Sequence, residues 1–211
     1  MFAIGRRELL LGASALALAG CNASGGGAGA NVSDEDMVLG QANAPVTLIE
    51  YASVTCPHCR EFHETAWEQL KTNYIDTGKV RFVFREYPTP PPAVAVAGFQ
   101  LARCGGATDE QYFTRVGELF RQQQAMFATG TMEGVRQKLI EIGGAAGLSQ
   151  DQVMQCISDE SGADRIRATV DAANRDFHVT GTPTFILNGT RYEGPPTYEA
   201  MSHAIDAAIA G

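Results

Sequence analysis

The 211-residue chain has few cysteines and histidines, the usual ligands of structural zinc, and no excess of positive charge. It contains five cysteines and four histidines, and only one cysteine pair, Cys56 and Cys59, has the two-residue spacing typical of zinc ligands. A structural zinc site normally takes four ligands, and a second pair is missing. The formal net charge of −8, without a basic cluster, argues against binding to nucleic acid or directly to anionic lipid. We therefore expect no metal, no other cofactor and no nucleic-acid partner.

The sequence also lacks an apolar run long enough to span a bilayer, which takes about 20 residues. A shorter run at residues 9–19 follows Arg6 and Arg7, which predicts that residues 1–20 form an export signal. The run ends in Leu-Ala-Gly followed by Cys21, which resembles the site where bacterial lipoproteins are cleaved and acylated. The alternative is an ordinary signal peptide with an incidental cysteine. The paired arginines leave export by the twin-arginine or the general route open.

Residues 21–36 have no apolar periodicity in their first half and are rich in glycine and alanine. Such a segment is typical of a flexible tether with a reach on the order of 20 Å. A lipid on Cys21 would hold the following domain close to a membrane, and it would leave an even number of cysteines, four, for the rest of the chain.

The sequence Cys56-Pro57-His58-Cys59 lies between an apolar run at residues 46–52 and a stretch of helical periodicity at residues 61–75. A cysteine at the start of a helix is favoured as a thiolate by free N–H groups and by the helix dipole. The second cysteine, one turn on, can form a disulfide with the first. The His58 ring would favour the thiolate further. The pattern predicts thiol-disulfide exchange rather than half of a zinc site.

The remaining chain predicts strands on both sides of a long helical block. Strands are expected at residues 46–54, 80–85 and 183–187, and the turn Asn188-Gly189 leads into a paired strand at 190–193. Residues 93–177 are predicted to be helical, with one continuous amphipathic segment at 109–127 and a capping box formed by Ser149 and Gln152. A last helix is expected at 197–210.

This order of elements resembles the DsbA-type thiol-disulfide oxidoreductases, α/β proteins with a thioredoxin fold and a helical insertion. The resemblance depends on the CPHC sequence, on Gly181-Thr182-Pro183-Thr184 ahead of a strand, and on Glu50 six residues before Cys56. It implies a first part of the thioredoxin fold at residues 37–88, the insertion at 89–177 and the second part at 178–211.

The resemblance also implies roles for the site residues. Cys56 would be the sulfur that substrates attack, and Cys59 the sulfur that leaves. Pro183 would follow a cis peptide bond and face the two cysteines. Thr182 would then present its backbone to an extended substrate segment.

Two charged or titratable residues near the cysteine pair allow opposite interpretations. Glu50 lies within an apolar strand, where an ionised carboxylate is costly, so we interpret it as a buried acid that carries the proton of Cys59. The alternative is a glutamate on an edge strand facing water. His63 is expected on the surface of the first helix, whereas Trp67 is expected in the core.

Cys104 and Cys156 both lie in the helical block. Because free thiols in one small region rarely stay apart in an oxidising compartment, we predict a structural disulfide between them. Two separate buried thiols are the alternative.

The sequence therefore predicts an enzyme that introduces disulfides into exported proteins with free cysteines. It would act at the periplasmic side of the bacterial cell envelope, anchored by lipid, and the resemblance implies recycling by a quinone-linked membrane oxidase. A reductase or isomerase of the same fold is one alternative. A metal-binding or chaperone module that uses the cysteine pair is another.

Overall fold

A mixed β-sheet forms the centre of the computed structural model, which describes Met1 and residues 32–211. The predicted signal peptide and most of the predicted tether, including Cys21, lie outside the described residues. Within them, five strands are arranged in the order β1-β3-β2-β4-β5. Their bounds are β1 Met37–Leu39, β2 Val46–Ala52, β3 Val80–Glu86, β4 Thr184–Leu187 and β5 Thr190–Tyr192.

Strand β2 has the central place in the sheet. It pairs in parallel with β3, so that Val46 faces Val80, and antiparallel with β4, so that Ile49 faces Ile186. Six of its seven residues are buried, as its almost continuous apolar sequence predicts for a strand covered on both faces. The predicted hairpin is also present, because β4 pairs antiparallel with β5 across Asn188 and its glycine neighbour.

Strand β1 was not predicted from the sequence. It pairs antiparallel with β3 at the edge of the sheet, with Met37 opposite Phe84. Three residues are too few to show an alternating pattern, and the strand is held from outside its own sequence: the Val38 N–H donates to Asp109 Oδ1 over 3.1 Å.

Helices cover the sheet and fill the segment between β3 and β4. After β2 come α1 Pro57–Thr65, α2 Trp67–Leu70 and a π-helical turn, Lys71–Ile75. The predicted helical block contains α3 Pro92–Arg103, α4 Asp109–Arg121, α5 Gln123–Phe127, α6 Met132–Ala145, α7 Gln150–Ile157 and α8 Glu160–Phe177, and α9 Tyr198–Ala210 ends the fold. This is the predicted α/β architecture with a helical insertion.

The helix ends follow their capping residues. Ser149 forms the predicted capping box with Gln152 at the start of α7. Helix α8 begins directly after Asp159, whose side chain accepts hydrogen bonds from the N–H groups of Ser161 and Gly162. The predicted continuous helix at 109–127 is instead two helices, since the chain leaves the helical conformation at Gln122.

A buried hydrogen-bond network joins the helical insertion to the sheet, and a disulfide links two parts of the insertion to each other. Glu86, 2% exposed at the end of β3, accepts hydrogen bonds from Arg103 Nε at 2.7 Å, Tyr112 at 3.1 Å and Arg165 at 3.3 Å. The predicted disulfide between Cys104 and Cys156 is present and joins the end of α3 to α7. None of the helices within residues 32–211 combines the length and the apolar character needed to cross a bilayer.

Candidate active site

Cys56 is the residue that precedes the first turn of α1, directly after a buried turn that leaves β2. Its N–H donates to the Ser53 carbonyl at 3.0 Å, and Pro57 occupies the start of the helix. From the insertion, the buried Gln123 side chain donates to the carbonyl oxygens of Val54 at 2.9 Å and Cys56 at 3.0 Å. The strand, the helix start and α5 therefore fix the backbone of the cysteine together.

The surroundings of Cys56 favour its ionised form. Its pKa is lowered to about 5, mainly by a hydrogen bond from Cys59, while partial burial opposes the shift. Smaller contributions come from Thr182 and from the backbone N–H groups of Cys59 and His58 at the helix start. Cys56 is therefore a thiolate at neutral pH.

Cys59 has the opposite properties, although it lies only one helical turn away. It is fully buried, and burial is the main cause that raises its pKa well above the ordinary value. The hydrogen bond with Cys56 and the charge of Glu50 raise the pKa further. Both cysteines are free thiols in this structure, so Cys59 is the protonated partner of a reduced pair.

The loop before β4 lies against the cysteine pair. The Thr182–Pro183 bond is cis, as the resemblance implied, and the Thr182 carbonyl oxygen is 3.3 Å from Cys56 Sγ. The Thr182 hydroxyl is buried and has no hydrogen-bond partner among the described residues. The loop therefore brings polar backbone and side-chain groups to the sulfur that substrates would reach.

The His58 side chain does not lie where we expected it. The ring is exposed and its Nδ1 is 3.6 Å from Glu61 Oε2. The contribution of His58 to the low pKa of Cys56 comes from its backbone N–H, which any residue except proline would supply.

Glu50 is a buried acid, and the alternative of a water-facing residue on an edge strand is wrong. Its side chain is 0% exposed on the central strand, and its Oε2 forms a 2.9 Å hydrogen bond with Nε2 of His63. The other oxygen, Oε1, is buried and has no partner within residues 32–211. The carboxyl group is close enough to Cys59 to affect its pKa.

The expected surface position of His63 is also wrong. The side chain is 5% exposed, because α1 packs against α4 and the His63 ring stacks on Phe120 with centroids 4.3 Å apart. A signal for this was available in the sequence. Trp67 lies one helical turn after His63, on the same side of the helix, and the expectation that Trp67 is in the core is confirmed.

Within residues 32–211, no group of three or more histidine, cysteine or acidic side chains is arranged to hold a metal ion. The cysteine pair and its surroundings are instead built to hold two sulfurs in different protonation states.

Comparisons with known proteins agree with the family resemblance seen in the sequence. A protein of Rickettsia conorii, named provisionally as a protein-disulfide oxidoreductase, is 34% identical over 178 residues, which are 84% of this chain and 62% of that protein. The chain thus spans less than two thirds of this relative's length.

Solved structures share the fold. The crystal structure of Wolbachia pipientis alpha-DsbA1 matches with a TM-score of 0.75 and 26% identity, covering 85% of this chain and 93% of that one. BdbD from Bacillus subtilis, at 20% identity, has the same fold with a TM-score of 0.70, over 83% of this chain and 94% of its own. A family model described as thioredoxin matches residues 32–207. The chain therefore belongs to the thioredoxin family, with the fold and helical insertion of its DsbA-type members.

Proposed function

We propose that this protein is a thiol-disulfide oxidase that introduces disulfides into exported proteins. The observation that supports the proposal is the contrast within the cysteine pair: the pKa of Cys56 is about 5, whereas the pKa of the buried Cys59 is raised well above its ordinary value. A stabilised thiolate lowers the free energy of the reduced protein, so the disulfide form is more oxidising.

The reaction has two exchange steps. In the oxidised protein a substrate thiolate attacks Cys56 Sγ, the Cys56–Cys59 bond breaks, and its electron pair goes to the Cys59 sulfur, which takes up a proton. A second thiolate of the substrate then attacks the substrate sulfur of the mixed disulfide, and Cys56 leaves as a thiolate. The substrate has lost two electrons and gained a disulfide, and the protein is reduced.

Glu50 supports the first step as a proton donor. Cys59 is fully buried, so the charge that develops on its sulfur has no access to water. The Glu50 carboxyl group, also fully buried, is the titratable neighbour whose charge acts on Cys59. A protonated Glu50 can neutralise the leaving sulfur, and the carboxylate can take the proton back when the pair is reoxidised.

The loop that carries Thr182 and Pro183 would position the substrate. It places the Thr182 carbonyl oxygen 3.3 Å from Cys56 Sγ, beside which an extended substrate segment with its own free N–H and C=O groups could pair with the loop's backbone. Such pairing recognises backbone rather than sequence, which suits an enzyme that acts on many proteins.

Export and recycling complete the proposal. Residues 1–20 have the composition of a bacterial export signal, and an acylated Cys21 would hold the enzyme near a membrane. There a quinone-linked membrane oxidase could reoxidise the cysteine pair. Replacing Cys21 by alanine should release the protein from the membrane fraction, whereas release of none of it would contradict the lipid anchor.

The potential of the cysteine pair tests the direction of electron flow. We expect equilibration with glutathione to give a value near the roughly −120 mV of strong disulfide oxidants. A value near the roughly −270 mV of thioredoxin would indicate a reductase instead. In addition, a Cys59→Ser variant should accumulate mixed disulfides with exported proteins, which a metal-binding module would not do.

A further inference from the structure

The proton that Cys59 gains or loses has no direct route to water. Both Cys59 and the carboxyl group of Glu50 are 0% exposed. A proton that moves between them stays inside the protein unless a third group exchanges it with solvent. Exchange with solvent through a third group would let Glu50 regain its proton while Cys59 keeps the one it received.

His63 is the group that connects this buried pair to the outside. Its Nε2 is 2.9 Å from Glu50 Oε2. His63 also lines an open groove of about 820 Å³ between α1, α4 and the end of β1, together with residues such as Leu39 and Gly117. Its second nitrogen, Nδ1, makes no hydrogen bond within residues 32–211 and is not among their buried unpartnered atoms. One nitrogen therefore faces the acid, and the other has no hydrogen-bond partner in the described part of the chain, in a residue that lines the groove.

Aromatic neighbours hold the ring in this orientation. His63 stacks on Phe120 with centroids 4.3 Å apart, and its centroid is 5.1 Å from that of Trp67. A ring fixed between these side chains keeps Nε2 on the carboxylate without a search over rotamers.

We propose that His63 is the proton relay between the Glu50–Cys59 site and the solvent in this groove. The proposal rests on the proposed disulfide exchange and goes beyond it, because it assigns the proton's route and entrance. Histidine suits the role, since an imidazole can release a proton from one nitrogen while it accepts one at the other.

The relay balances with the exchange chemistry. When the Cys56–Cys59 bond breaks, the Cys59 sulfur takes the proton of the Glu50 carboxyl group. Nδ1 of His63 then takes a proton from groove water as Nε2 gives its own proton to the carboxylate, so the ring ends the step neutral. When the pair is reoxidised, each transfer runs in reverse: Nδ1 releases a proton to water, Nε2 takes the proton of Glu50, and Glu50 takes the proton of Cys59.

Any test must distinguish the effect of His63 on the reaction rate from the effects of other charged groups near the groove. Besides Glu50 on β2 and Cys59 on α1, the groove is lined by Glu64, Glu68, Lys71, Asp76, Glu110 and Arg121. Asp76 is held by Lys71 at 2.8 Å. Rates are therefore compared between variants at the same pH and ionic strength, so that these groups contribute equally.

The first test replaces His63 by glutamine, which can still donate a hydrogen bond to Glu50 but cannot carry a proton. His203→Gln, at an exposed position of α9, is the matched control. Reduction of the oxidised protein by a dithiol peptide is followed by stopped-flow fluorescence of Trp67, the single tryptophan. We expect H63Q to react about a hundredfold more slowly at neutral pH, the lower end of the range for proton transfer by a side chain, and the control to react normally.

Rescue separates a relay from a structural role. Imidazole in the buffer should restore part of the H63Q rate, because it can enter the groove and carry the proton, while the wild-type rate should stay the same. The pH at which Cys56 is half alkylated should not change in H63Q. An unchanged rate, or a slow rate that imidazole leaves unaffected, would overturn the proposal.

A second pair of variants tests the groove without changing His63. A Cβ at Gly117 would meet only Arg121 Nη1, at 3.6 Å, so a larger side chain fits and extends into the groove. We expect Gly117→Leu to slow the reaction several-fold and Gly117→Ala to leave it unchanged. If H63Q does not fold, this pair decides, and equal rates for the two variants would refute the route.

Failure of the relay differs from failure of the proposed function. A wild-type protein that exchanges no disulfides overturns both. Normal exchange at an oxidising potential, with equal rates in wild type, H63Q and Gly117→Leu, overturns the relay alone.

Discussion

The pH dependence of Cys56 alkylation is the most direct consequence of the site geometry. With a pKa of about 5, the thiolate form of Cys56 should be half populated near that pH, whereas a free cysteine reaches this point near pH 8.5. The rate of reaction with iodoacetamide should therefore rise to half its maximum near pH 5. Cys59 is buried and protonated, so it does not compete.

The absolute rate of Cys56 alkylation at neutral pH is a poor test of its pKa, because two opposite effects on that rate nearly cancel. At pH 7 Cys56 is almost fully ionised and a free cysteine only about 3%, a gain of about 30-fold. The nucleophilicity of a thiolate falls with its pKa, with a Brønsted coefficient of about 0.45. A pKa that is lower by about 3.5 units therefore makes the Cys56 thiolate about 40-fold less reactive than the thiolate of a free cysteine. The two effects nearly cancel at pH 7. At pH 5 the ionisation gain is over a thousandfold, and Cys56 should react roughly 40 times faster than a free cysteine.

Cys59 supplies the largest part of the stabilisation, so its replacement gives the decisive comparison. A hydrogen bond to a charged group contributes about 1.5–3 kcal/mol, which corresponds to about one to two pH units. Cys59→Ala should move the alkylation midpoint of Cys56 upward by that amount, and Cys59→Ser, which keeps a donor, should move it less. A wild-type midpoint at pH 8 or above, or equal shifts in the two variants, would refute the reasoning.

Three further outcomes follow from the same structure. Reduction of the Cys56–Cys59 pair binds two protons below the pKa of Cys56 and one above it, so the reduction potential of the pair should fall by roughly 59 mV per pH unit below pH 5 and by roughly 30 mV above it. A single slope from pH 4 to 7 would contradict the low pKa. Replacing both Cys104 and Cys156 by alanine removes a cross-link across 52 residues and should lower the free energy of unfolding, measured in urea, by about 4 kcal/mol. An unchanged free energy would show that the bond does not constrain the unfolded chain. Glu86→Ala leaves the arginines around it without their buried partner and should lower the free energy of unfolding by about 3 kcal/mol, whereas Glu118→Ala, in a surface pair on α4, should lower it by less than about 1 kcal/mol. Equal losses would contradict a role for the buried network.

Elements encoded by local patterns could be predicted from the sequence. The apolar run of β2, the Asn188 turn before β5 and the cap at Ser149 each depend on a few adjacent residues, and each is present. Strand β1 depends instead on pairing with β3, a distant segment of the chain. Backbone pairing at a sheet edge needs no particular side-chain pattern, which is why a three-residue strand leaves no trace in the sequence.

Gln123 shows the same limit within the site. It looks like one of several polar residues in a glutamine-rich stretch, yet its amide holds two carbonyl oxygens beside the active cysteine, 67 and 69 residues earlier in the chain. Nothing local distinguishes it from its neighbours Gln122 and Gln124. Only the packing of α5 against the turn after β2 selects which of the three amides is buried.

The errors at His63 and the success at Glu50 have one physical cause. A carboxyl group inside an apolar strand is conspicuous, because its burial is costly and demands a partner. The partner itself stands in a polar, amphipathic helix, where a histidine looks ordinary. The interpretation of Glu50 as buried therefore already required a donor nearby, and the helix after the cysteine pair packs directly on β2. His63 lies one turn before Trp67 on the same side of the helix, so the amino-acid sequence itself contains a signal for the partner of Glu50.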